Sequence, residues 1–186
     1  MSAEPIQHRF TADEYERMAD AGLFPDGRRM ELLGGEILEM SPIGSRHAAC
    51  VDRLTHLLVV SVGGRAIVRV QSPVRLSDVS EVRPDVALLR PRQDFYALRH
   101  PAPEDVLLAV EVSDVSVRWD RTVKRPLYAA AGVAEMWIVD LGAGVMDVAT
   151  RPGPDGYQRI RSAGRGGILE PAALPGLTVA VVDVLA

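Results

Sequence analysis

The chain has 186 residues, 47% of them hydrophobic and 25% charged, with a formal net charge of −4. Those proportions fit one soluble globular domain with a core of real size. The acidic balance argues against nucleic-acid binding through overall charge and leaves open only a local basic face. Cys50 stands alone, so no internal disulfide and no Cys-based zinc site can form. Met1 to Phe10 carries no apolar leader, and no window reaches the length of a membrane span, so the cytoplasm is the expected compartment.

Thr11-Ala12-Asp13-Glu14 reads as a capping box that opens a short helix to about Ala21. Arg29 to Leu33 and Glu36 to Met40, separated by Gly34-Gly35, predict a tight hairpin. Ala48, Val51, Leu54 and Leu58 recur at helical spacing, which predicts an amphipathic helix over Ser45 to Val60, stopped by Gly63-Gly64. Strands are expected at Ala66 to Val70, Val74 to Leu76 and Asp85 to Leu89, and a loop at Arg90 to Pro103. Val106 to Val112 is apolar except for Glu111 and reads as a central strand buried on both faces. A helix follows near Lys124 to Ala131. Pro126 requires either a start two or three residues earlier or a kink there. Glu135 to Asp140 is a further buried strand, and short strands are expected around Val145 to Ala149 and Leu177 to Val184. This order predicts an α/β domain over residues 1–186 with a mixed central β-sheet flanked by helices. The main core falls in about 10–150, and further strands lie in 151–186. No glycine fingerprint for a dinucleotide or a P-loop is present.

Glu111 is the residue that most needs a partner. An ionised carboxylate inside an apolar strand costs several kcal/mol unless paired or metal-bound; the plainer reading puts it at the strand end facing solvent or an arginine. Asp85, after Pro84 at the head of a strand, could be a simple turn residue. On a strand adjacent to Glu111 it would complete a pair able to hold one divalent cation. Two carboxylates and a backbone carbonyl, with that of Val112 the natural third ligand, suit Mg²⁺ or Mn²⁺. Lys124 is the only lysine among 21 basic residues. Its stem could return an ammonium to that metal site to position a water or stabilise charge on a phosphate. It could equally be a solvated helix lysine or a partner of Asp120. Glu36 on the hairpin is either a site acid or the polar face of an edge strand; Glu31 and Glu39 are similar and less clearly placed. Asp140 reads as a turn residue. His47, near a helix start, could touch a phosphate, and no histidine pair has zinc spacing. Arginines near Arg28-Arg29, Arg90 to Arg99 and Arg151 to Arg165 could hold a nucleic-acid backbone or simply solubilise the surface.

The run Glu31-Leu-Leu-Gly-Gly-Glu36, Met40-Ser-Pro42 and His47 resembles the N-terminal half of the Uma-type putative restriction endonucleases. Arg83-Pro-Asp85-Val86 resembles their first acidic motif. Glu111-Val-Ser113 with Asp120, Lys124, Tyr128, Gly132-Val133 and Glu135-Met-Trp-Ile-Val-Asp140 resembles their second half. The resemblance implies a restriction-endonuclease-like core of the PD-(D/E)xK superfamily and Mg²⁺-dependent hydrolysis of phosphodiester bonds. By position, Asp85 and Glu111 would be metal ligands, Lys124 the catalytic lysine and Glu36 an additional acid. The superfamily lysine normally stands two residues after the glutamate. Here that place holds Ser113, so the lysine would come from the following helix. DNA is the expected partner, and a homodimer is the simplest way to cut both strands. RNA or branched DNA is not excluded. The competing expectation is a nuclease fold kept as a binding or assembly module without catalysis.

Overall fold

A computed structural model describes residues 6–185. The reading of Met1 to Phe10 as lacking an apolar leader lies, for residues 1–5, outside the described residues. Helix α1 (Ala12–Asp20) starts on the expected capping box: the Thr11 N–H donates to Glu14 Oε2 at 2.8 Å and the Glu14 N–H donates to Thr11 Oγ1 at 3.2 Å. Strands β1 (Met30–Leu33) and β2 (Glu36–Glu39) form the hairpin. Its turn needs positive φ at two successive residues, and Gly34 (+59°) and Gly35 (+84°) supply it without a Cβ penalty. Helix α2 (Ser45–Val62) ends on Gly63 in the left-handed conformation. Strands β3 (Ile67–Val70), β4 (Val74–Ser77), β5 (Ser80–Val82) and β6 (Val86–Leu89) follow, and a 3-10 turn at Pro103–Asp105 leads into β7 (Val106–Ser113).

The strands divide into a small sheet of order β2-β1-β5-β4 and a six-stranded sheet whose remaining members are β8 (Glu135–Asp140), β9 (Val145–Gly153) and β10 (Gly156–Gly164). The large sheet runs β10-β9-β8-β7-β6-β3, and only β7 and β8 are parallel within it. A parallel pair cannot be closed by a tight turn, and the crossover here is helical: α3 (Val117–Trp119), a π-helical turn over Asp120–Lys124, and α4 (Arg125–Ala130). The mixed central sheet flanked by helices is therefore the architecture that the element order predicted. Side chains alternate across β7. Leu108, Val110 and Val112 join Leu54 and Leu58 of α2 in one core, while Ala109 joins Tyr128 and Ala129 of α4 in a second core on the other face. Leu54 and Leu58 are fully buried, which stabilises the fold by about 1.5–3 kcal/mol each.

Three local expectations need correction. The crossover helix begins at Val117, well before Lys124, and accommodates Pro126 by widening: the Arg125 N–H reaches back to the Asp120 carbonyl across the π turn. Such a turn is rare, and Pro126, which has no N–H to donate, stands just beyond it. Strand β9 runs on to Gly153 rather than stopping near Ala149. Arg159 and Arg161 lie on β10, a nine-residue edge strand antiparallel to β9, within the stretch where further strands are expected. Its arginines obscure its bounds because an edge strand with most of its residues exposed carries no apolar alternation. Finally, Leu177 to Val184 is not one strand but a two-residue strand β12 (Val179–Ala180), paired with β11 (Ile168–Leu169), followed by a short helix α5 (Val181–Val184).

Candidate active site

Glu111 follows Ala109 by two residues and so faces the α4 side of the sheet, where the crossover helix passes over it. Val86 pairs with Val110, so Asp85, one residue before β6, stands beside Glu111 at the open end of the two strands. The π turn lowers Lys124 onto the same point. Its Nζ donates to Glu111 Oε1 at 3.1 Å and to Glu31 Oε1 at 3.1 Å. The Tyr128 hydroxyl, one helical turn on, donates to Glu111 Oε1 at 2.9 Å. From the other face, His47 on the first turn of α2 places Nε2 3.0 Å from Asp85 Oδ2, which also accepts the Val112 N–H at 2.9 Å. Gln71 Nε2 donates to Asp85 Oδ1 at 3.1 Å. These groups open onto a pocket of about 280 Å³ that His47, Asp85, Glu111, Val112, Asp120 and Lys124 help to line, with Arg29 at its rim.

The structure thus brings Asp85, Glu111, Val112 and Lys124 together. It does not bring Glu36. The register sets Glu36 opposite Leu33 and Glu31 opposite Leu38, so Glu36 lies two residues nearer the hairpin turn, about 7 Å further along, and is exposed. The hairpin acid that reaches the cluster is Glu31, only 1% exposed, whose Oε1 accepts from Lys124 and from the Arg83 N–H at 3.0 Å. Its position in the middle of the strand, between apolar neighbours, was the available signal. Asp120 is also buried, and its Oδ2 accepts from the Ser113 hydroxyl at 2.6 Å and the Ser116 hydroxyl at 2.8 Å. So Ser113, at the place of the superfamily lysine, anchors the crossover helix. Asp140 accepts the Ala143 N–H at 2.8 Å and so closes a turn, as expected, and it also pairs with Arg121 at 3.1 Å.

Charge dominates this cluster. Glu31, Asp85, Glu111 and Asp120 are each at most 3% exposed, against one comparably buried ammonium, that of Lys124. Burial pushes the Lys124 pKa down, but the carboxylates of Glu111 and Glu31 outweigh it and hold the ammonium above its usual range. Burial pushes Glu111 well up, opposed by Lys124 and reinforced by Asp85, Asp120 and Glu31. Burial would also raise Asp85, but the hydrogen bond and charge of His47, with the Val112 N–H and Gln71, outweigh it and hold Asp85 below the usual carboxylate range. Glu31 Oε2 is buried without a hydrogen-bond partner.

The hairpin acids give a paired prediction. Glu31→Gln removes the charge facing Lys124, although its amide oxygen can still accept from Lys124 and the Arg83 N–H while its N–H₂ takes the partnerless Oε2 position. It is expected to lower unfolding stability by about 2–4 kcal/mol. Glu36→Gln, on the exposed edge strand, is expected to stay within about 0.5 kcal/mol of the parent. Urea unfolding of both proteins checks the contrast; equal losses would contradict the placement. Tyr128→Phe deletes one donor to a buried carboxylate and is expected to cost about 1.5–3 kcal/mol in the same assay.

The fold is that of a nuclease-like α/β protein, with carboxylates and an ammonium gathered at the end of the central strands. The chain belongs to the family described as Uma2, putative restriction endonuclease, whose pattern matches residues 12–182. Among solved structures it is similar to the crystal structure of a putative nuclease belonging to DUF820 from Anabaena variabilis, at 15% identity and a TM-score of 0.71, over 97% of this chain and 98% of that one. That likeness supports the fold. None of the curated proteins matches the chain. No helix among the described residues is long and apolar enough to cross a membrane.

Proposed function

We propose that this chain is a Mg²⁺-dependent endonuclease that hydrolyses phosphodiester bonds in DNA, with Mn²⁺ as a substitute metal. The observation that carries the reading is the buried excess of carboxylate over ammonium at the pocket. A phosphodiester is an anion, and the buried acids that line the pocket, Asp85, Glu111 and Asp120, would repel it when ionised. A divalent cation between acids and phosphate reverses that field. The donor set suits a hard ion: Asp85 and Glu111 would supply carboxylate oxygens and Val112 a carbonyl oxygen, and water would fill the remaining positions.

When bound, Mg²⁺ would polarise the phosphate and lower the pKa of a coordinated water. The chain's own residues do the rest. His47, Gln71 and the Val112 N–H fix the Asp85 carboxylate in one orientation. Tyr128 and Glu31 hold Glu111 and Lys124 in register. Lys124, kept cationic by its two acids, stabilises negative charge developing on the phosphate or orients the attacking water. Arg29, 3.8 Å from Asp85 Oδ1 and at the pocket rim, can receive a flanking phosphate. On this reading the enzyme works in the cytoplasm, and two copies would cut the two strands of a duplex.

The test is cleavage of supercoiled plasmid and of a single-stranded oligonucleotide by purified protein with Mg²⁺ or Mn²⁺, against chelator. Cutting that needs metal is expected. Persistent absence of cutting on either substrate, with intact fold, would remove the proposal.

A second reading is favoured by one observation: Lys124 is committed to two carboxylates, and both oxygens of Asp85 already accept bonds or face His47. A network closed in this way can serve as a structural core for a nuclease fold that only binds or assembles. Calorimetric titration with Mn²⁺ separates the two readings, since a closed network gives no heat of binding.

A further inference from the structure

Glu16, Glu81 and His100 come from three separate elements: α1, β5 and the segment between β6 and the 3-10 turn. Among the described residues, they are the only three His, Cys, Asp or Glu side chains whose candidate ligand atoms all lie within 4.8 Å of one another. Glu81 is 3% exposed, and its Oε2 is buried with no hydrogen-bond partner. A carboxylate oxygen of Glu81 lies within 4.8 Å of one of Glu16. Two carboxylates this close favour either a shared proton or a cation between them. Glu16 and His100 line a cavity of about 450 Å³, which gives solvent a route to the group.

We infer that Glu16, Glu81 and His100 form a second metal site that takes a divalent transition-metal ion of the Zn²⁺ class. Two carboxylate oxygens and one imidazole nitrogen are a donor set that suits zinc better than magnesium, which coordinates imidazole poorly. Ligand atoms around a tetrahedral zinc stand roughly 3–3.5 Å apart, so the group, already within 4.8 Å, need close by no more than about 1.5 Å. Glu16 and His100, both only partly buried, can make that movement while Glu81 stays fixed. Burial keeps the His100 imidazole neutral by lowering its pKa, which is the form that ligates. Arg75 and Arg83 add positive charge nearby. Arg75 is paired with Asp13 at 2.6 Å and Asp78 at 3.3 Å and stands 4.0 Å from Glu16, so a bound cation must take Glu16 from that looser contact. Bound there, the ion would tie α1 to the small sheet and to the segment after β6.

The test uses full-length protein saturated with Mg²⁺ and titrated with Zn²⁺, following heat of binding and thermal midpoint, and then with Co²⁺, following its visible absorption. One equivalent of Zn²⁺ should bind and raise the midpoint, and Co²⁺ should give a nitrogen-ligated spectrum. His100→Ala and Glu81→Gln should each weaken Zn²⁺ binding at least tenfold. Asp85→Asn should leave it unchanged, which separates this site from the pocket. If His100→Ala binds Zn²⁺ as the parent does, or the parent takes up no Zn²⁺, the inference is overturned. The same holds if the thermal midpoint responds only to pH, rising as pH falls through about 7 where Glu81 takes up its proton; the two acids then share a proton instead.

Discussion

Lys124→Ala is expected to unfold the protein more readily than any other single change at the site, by about 3–5 kcal/mol. The ammonium donates to Glu111 and Glu31 and sits beside Asp120, all buried. Its removal leaves those acids to repel one another in a low-dielectric setting, and truncation opens a cavity besides. Lys124→Met keeps most of the stem and isolates the charge effect. The triple variant Lys124→Met, Glu111→Gln, Glu31→Gln removes the acids together with their counter-ion. It should recover most of the lost stability, because a neutral cluster of similar shape no longer contains an unpaired charge. Cleavage should not recover, since both the metal ligand and the ammonium are gone. Equilibrium unfolding and plasmid cleavage on the same preparations check both halves. If Lys124→Met is as stable as the parent, the buried ion cluster has been misread.

Asp85→Asn is expected to reduce cleavage by at least about 10²–10³-fold while preserving the fold. The substitution is isosteric, but one oxygen of Asp85 accepts the Val112 N–H and faces His47, and the other accepts from Gln71. An amide can satisfy only one side of that arrangement, so a stability loss of about 1–3 kcal/mol accompanies the loss of the ligand. The pH dependence carries its own sign. The folded-state pKa of Asp85 lies below the usual carboxylate range. Its stabilisation is therefore fully present above the unfolded value of about 3.9 and is lost as pH falls through the folded value. The acid limb of the stability curve should be steeper in the parent than in Asp85→Asn. Parallel acid limbs would contradict the role given to His47 and Gln71.

Much of this site was legible before any coordinates because buried charge is conspicuous in an apolar run. Glu111 stands out in Val106–Ser113 for that reason, and Lys124 stands out because every other basic residue is arginine. The pairing of Asp85 with Glu111 was also accessible, since two neighbouring strands of opposite direction bring the head of one to the tail of the other. The choice between Glu31 and Glu36 was not. Both lie on the hairpin, and only the register with the neighbouring strand and the way the crossover helix crosses it decide which acid is covered. His47 carries only the signal of a place near a helix start, and its bond to Asp85 depends on the angle at which α2 lies against the sheet. The helix around Lys124 was read too short, because Pro126 suggests a boundary and a π turn leaves no trace in apolar spacing. The bounds of strand β10 are hidden for a related reason: at a sheet edge, polar residues on both faces obscure the period of two.

The most direct measurement is a crystal of the protein soaked with Mn²⁺ and recorded at the manganese absorption edge. The account predicts one anomalous peak in the pocket, within about 2.0–2.3 Å of a carboxylate oxygen of Asp85, one of Glu111 and the carbonyl oxygen of Val112, with the Lys124 ammonium beside it. A pocket without manganese, with Lys124 still bridging Glu31 and Glu111 at saturating metal, would contradict it.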